Sequence, residues 1–146
     1  MSVPKSKRKE SSYDVVDTAK KLRGKVLHIC LKLPRRYTYI LLQDAMHNAS
    51  KVAYLCKGAN SVFPTNAHEA QIRIDYWIHA RAALQALSMD IDDFADIPSL
   101  VTYNDAGKKK GATRYEIDEI GILIKQEMGF LKKAIETDRK RFGKMQ

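Results

Sequence analysis

Two pairs of side chains in this sequence have a spacing that could serve phosphodiester chemistry. Four residues separate Arg23 from His28, and five separate Arg73 from His79. On a helix such spacing brings an imidazole, which moves protons, near a guanidinium, which binds phosphate. With nine arginines and four histidines in the chain, about 0.7 such matches arise by chance, so two carry little weight. Metal chemistry has less to work with. His28 and Cys30 sit two apart on an expected helix and point in different directions, and His47 and Cys56 have no ligand spacing. His68 and Glu69 fall at an expected helix start, where Glu69 is better explained as a cap. Cys30 and Cys56 are too few for a disulfide scaffold and read as small buried hydrophobes. Neither a metal site nor a cofactor is expected.

What remains is cationic chemistry. The 146 residues carry 26 Lys and Arg against 17 Asp and Glu, a formal charge of +9. The excess is uneven: +8 over residues 1–36, +1 over 37–66, −5 over 67–106 and +5 over 107–146. Such a balance points to a polyanionic partner, either nucleic acid or an anionic membrane surface. No apolar run approaches the length of a membrane span. The basic start Met1–Glu10 has no apolar stretch behind it and does not read as a secretory signal. A soluble, cytoplasmic protein without membrane attachment is expected.

The elements that must position these charges are helices. Residues 1–11 form a basic leader with one proline and no aromatic residue, expected to be disordered until bound. From Tyr13 to Leu33, Val15, Ala19, Leu22, Val26, Ile29 and Leu33 recur at helical intervals, with Lys20, Lys21, Arg23, Lys25 and Lys32 on the other face. Ser11 or Ser12 can cap this helix, and Pro34 stops it. A second helix is expected over residues 38–57, with a stripe of Leu41, Ala45, Ala49, Val52 and Cys56 and with Gly58 as its stop. The segment Gly58–Asn66 reads as a loop whose Val62 and Phe63 plug the bundle end. Asn66 and Glu69 have the spacing of a capping box for a third helix over 67–96. This helix buries Ala70, Ile74, Trp77, Leu84, Leu87 and Ile91; Trp77 and Tyr76 read as core or subunit contacts. Ser99–Thr113, with its three lysines, reads as a flexible loop, and no strand is expected. A fourth helix over 115–141 lines up Ile117, Ile120, Ile124, Met128, Leu131 and Ile135, before a short tail at 143–146.

Four helices of matched length joined by short connections predict an all-α, antiparallel up-down-up-down bundle over residues 12–142. In that topology the first and last helices are neighbours. The two basic ends of the sequence are therefore expected to merge into one basic surface.

Several local stretches carry a likeness to a known family: Pro4-Lys5-Ser6-Lys7-Arg8, Lys32-Leu33-Pro34-Arg35-Arg36-Tyr37, the segment from Asn60 to Gln71, and Asp138-Arg139-Lys140-Arg141. On these the chain resembles the accessory variability determinant proteins of diversity-generating retroelements, which are related to proteins encoded in intervening sequences of 23S rRNA genes. The resemblance implies a non-enzymatic homopentameric barrel that binds a reverse transcriptase and RNA or DNA. It implies support of template-repeat cDNA synthesis and mutagenic retrohoming. The acidic stretch Asp90-Ile91-Asp92-Asp93 with Asp96 departs from that pattern. The alternatives are an intervening-sequence-type bundle protein that binds RNA, and a HEPN-like helical ribonuclease built on the Arg–His pairs. On the favoured reading, Lys20, Arg23, Arg35, Arg36, Lys132, Arg139 and Arg141 form the nucleic-acid and polymerase surface, through contacts to phosphate that do not depend on base sequence.

Overall fold

A computed structural model describes residues 10–33, 41–96, 101–103, 109–111 and 114–145. The expected leader, the start of the second helix before residue 41, and both Arg35 and Arg36 lie outside the described residues or largely so. Four helices dominate: α1 (Glu10–Lys32), α2 (Gln43–Ser61), α3 (Ala67–Asp96) and α4 (Arg114–Phe142). Each packs on its neighbour in sequence, and α1 packs on α4, which closes an antiparallel four-helix bundle. Between α3 and α4 stand β1 (Val101–Tyr103) and β2 (Lys109–Gly111), paired antiparallel with Val101 opposite Gly111. This hairpin corrects the expectation of a strandless loop. The lysine run hid a short Val-Thr-Tyr segment of β-branched and aromatic residues that suit a strand.

The apolar stripes form the core. Val15, Ala19, Leu22, Val26, Ile29 and Leu33 of the first stripe are all buried, as are Ile74, Trp77, Leu84, Leu87 and Ile91 of the third. Alanines 45, 49, 53 and 59 of α2 are buried too, which allows close helix contact. The helices are not matched in length: 23, 19, 30 and 29 residues. At a rise of about 1.5 Å per residue, α3 and α4 exceed α2 by roughly 15 Å.

Three local expectations are corrected. Glu10 already belongs to α1, so Ser11 and Ser12 lie inside the helix instead of capping it. Helix α2 runs through Gly58 to Ser61 and ends where Val62 turns extended (φ −87°, ψ 118°), two residues before Pro64. Its last carbonyls have a partner from another element: the Arg73 guanidinium donates to Ala59 O at 3.1 Å and Val62 O at 2.9 Å. A tertiary donor thus satisfies groups that a glycine cap would otherwise serve. Finally, Phe63 does not plug the bundle. It is 81% exposed.

The start of α3 follows the expected logic. Asn66 Oδ1 accepts from the Glu69 backbone N–H at 2.9 Å, while the Glu69 carboxylate accepts from the Thr65 hydroxyl at 2.9 Å. In α4 the expected stripe is displaced at one position. Met128 is half-buried, and the neighbouring Glu127 is fully buried, with no hydrogen-bond partner for either carboxyl oxygen. Burial raises its pKa to about 9, so the acid is held neutral inside the bundle.

Candidate nucleic-acid interface

Opposite directions of α1 and α4 decide where the cations go. Lys32, at the end of α1, meets Glu116 at 2.7 Å, and Lys25 meets Glu119 at 2.6 Å. Both glutamates belong to the first turns of α4, so these two lysines are neutralised across the seam. Arg139 comes twenty positions after Glu119, about 30 Å along a helix. The last turn of α4 therefore stands at the opposite end of the bundle, level with the first turn of α1 or beyond it.

The residues expected to bind phosphate accordingly spread along the molecule. Lys20 is exposed on the outer side of α1. Arg23 is half-buried and turned toward α2, where it donates to Ser50 Oγ and Tyr54 Oη, each at 3.2 Å, and lies 5.2 Å from the Tyr54 ring centroid. Lys132, Arg139 and Arg141 are exposed on the second half of α4. The Arg141 guanidinium lies 5.1 Å from the Phe142 ring centroid. Among the described residues, Arg139, Lys140 and Arg141 enter no ion pair with a carboxylate. Arg139, Lys140 and Arg141 share one helical turn; Lys20 and Arg23 do not join them.

A buried network fixes that end. Asp138 Oδ2 accepts from Arg73 Nε at 2.7 Å and from Trp77 Nε1 at 2.7 Å. Arg73, 7% exposed, also holds the two carbonyls at the end of α2. One guanidinium thus joins α2, α3 and α4 immediately before the cationic turn. Sequence spacing marked Arg73 only as half of an Arg–His pair. Its partner His79 is exposed while Arg73 is buried, so the two do not face a common phosphate. Arg23 is likewise committed to α2. His28 instead lines a hollow of about 210 Å³ with Lys25, Glu116 and Glu119.

The thiols are poorly suited to nucleophilic work. Burial pushes Cys30 up to about 11, and burial together with the nearby Glu127 pushes Cys56 up further. Both favour the thiol over the reactive thiolate. Among the described residues no group of three or more His, Cys, Asp and Glu is placed to hold a metal ion. No described helix is long and apolar enough to cross a membrane.

Two further surfaces expose apolar side chains. An open cleft of about 690 Å³ between α3 and α4 is lined by Ile91, Ala95, Ile117, Ile122 and Met128, with Asp92 and Lys125 at its edges. The α1–α2 side exposes Leu27, Leu31 and Tyr54, at 42%, 77% and 62%. Comparison with protein-family models, curated proteins and solved structures gives no match.

Proposed function

We propose that this protein is a non-enzymatic, nucleic-acid-binding adaptor that serves a reverse transcriptase, the role implied by its resemblance to the accessory proteins of diversity-generating retroelements. The observation that carries the binding part is the last turn of α4, where Arg139, Lys140 and Arg141 project with no carboxylate partner among the described residues. Three unpaired cations on one turn repel one another, and a run of phosphates relieves that repulsion. Lys132, seven residues before Arg139 on α4, extends the positive surface; Lys20, Arg35 and Arg36 enter this reading through the resemblance and not through that turn. The polymerase partner and the retrohoming role rest on the resemblance alone.

Assembly into a homopentamer belongs to the same reading. The α1–α2 side and the α3–α4 cleft lie on opposite faces of a four-helix bundle, and both present apolar side chains. Apolar surfaces on opposite faces suit a head-to-tail contact, which closes into a ring when the rotation permits. Basic Arg23 and Lys20 on one face would oppose Asp92 on the other.

Titration of the purified protein with a labelled single-stranded RNA across a salt series tests the binding claim. Affinity should fall steeply, with a log–log slope of about −0.7 for each phosphate contact. A flat response would contradict it. Co-expression with a reverse transcriptase from a retroelement carrying paired template and variable repeats tests the partner: the two should co-purify, and separate elution would remove that part.

A further inference from the structure

Phe63 lacks a local explanation. It sits between Val62 and Pro64 in the α2–α3 connection, and 81% of its surface is exposed. Nothing in the helix cap uses it, because Asn66, Thr65 and Glu69 complete the start of α3 among themselves. The segment beneath it is nevertheless held firmly. Arg73 grips the carbonyl of Val62 at 2.9 Å, and the same guanidinium is locked to Asp138 at 2.7 Å. One side chain therefore bridges the residue before Phe63 and the residue before Arg139. An aromatic ring kept in water on an anchored loop, beside a turn of unpaired cations, is an arrangement suited to unpaired nucleic acid. Aromatic faces stack on any base, and arginines and lysines track the phosphates.

We infer that Phe63 is a base-stacking residue for single-stranded nucleic acid, with Arg139, Lys140 and Arg141 holding the adjoining phosphates at this end of the bundle. The inference rests on the nucleic-acid reading above and adds to it a preference for unpaired strands. In a duplex the base faces are already stacked on one another, so Phe63 has nothing to cover. The buried Arg73–Asp138–Trp77 group acts here only as the support that sets the loop against the cationic turn.

The test measures binding of a short single-stranded RNA and of a blunt duplex of equal length to wild type, Phe63→Ala, Phe63→Trp and the double variant Arg139→Gln/Arg141→Gln. Stacking is worth about 1–3 kcal/mol per base, so Phe63→Ala should weaken single-strand binding by roughly 5- to 150-fold. Its duplex affinity and salt slope should stay unchanged. Phe63→Trp should restore binding, and the double variant should weaken both substrates. Thermal unfolding of Phe63→Ala should match wild type, since the ring is exposed. Unchanged single-strand binding by Phe63→Ala, with weakened binding by the double variant, would overturn the stacking role and leave the adaptor reading intact. Loss of polymerase co-purification by Phe63→Ala with RNA binding intact would overturn it in favour of a protein anchor. Failure of wild type to bind either RNA would overturn both.

Discussion

The two ends of the α1–α4 seam treat charge in opposite ways. Where α1 ends and α4 begins, Lys25 and Lys32 are taken up by Glu119 and Glu116. Where α4 ends, the carboxylate of Asp138 turns inward to Arg73 and Trp77. The three cations that follow it are left without acids among the described residues. Proximity of basic helices therefore does not by itself make a basic surface. What matters is which turns carry the acids and whether those acids face the seam or the core.

The strongest way to break this contrast is to remove the inward-facing acid. Asp138→Ala strands the buried Arg73 guanidinium and should cost about 3–5 kcal/mol, read by denaturant unfolding. A loss below about 1 kcal/mol would mean the network does not anchor this end. Glu127 sharpens the same point, since it is a buried carboxylate on the same helix with no partner. Its pKa rises from an ordinary 4.5 to about 9, so the folded state keeps a proton that the unfolded chain releases. The stability tied to that neutral acid is complete below about pH 4.5 and is lost as pH climbs toward 9. Unfolding free energy should drop by as much as about 3 kcal/mol between about pH 6 and about pH 8. Glu127→Gln should flatten that slope, and an unaltered pH dependence in the variant would assign it to other groups.

Binding variants probe the contrast at a smaller scale. Arg139→Gln and Arg141→Gln should each reduce the RNA salt slope by about 1 and weaken affinity without regard to sequence. Lys32→Ala should leave RNA affinity untouched, since its charge is already spent on Glu116. The smallest effect belongs to Glu116→Gln. Its partner Lys32 is partly exposed, and such pairs contribute about 0–1 kcal/mol. A larger destabilisation there would show that the seam pairs do structural work like that of Asp138.

Much of the fold could be read from periodicity alone. The stripes Val15 to Leu33 and Ile74 to Ile91 are buried as their spacing demands, and the Asn66–Glu69 cap is where its residue types place it. Features that escaped depend on contacts between distant elements. Gly58 is a reasonable local stop, yet α2 continues past it because Arg73, fifteen residues on, serves its final carbonyls. Glu127 breaks the apolar pattern: periodicity favours Met128 on the stripe, whereas the bundle buries the acid beside it without a partner. An apolar residue in a loop usually finds cover, which favours Phe63 as a plug, yet its ring is exposed. The candidate site was legible as two basic helices side by side; the acids of the first turns of α4 that silence Lys25 and Lys32 were visible too, but only the antiparallel register showed whom they meet.

Lysine acetylation of the wild-type protein with and without single-stranded RNA, read residue by residue by mass spectrometry, tests the central claim most directly. RNA should protect Lys140 and Lys132 and leave Lys25 and Lys32 as reactive as in the free protein. Protection confined to Lys25 and Lys32, or no protection at any lysine under binding conditions, would contradict it.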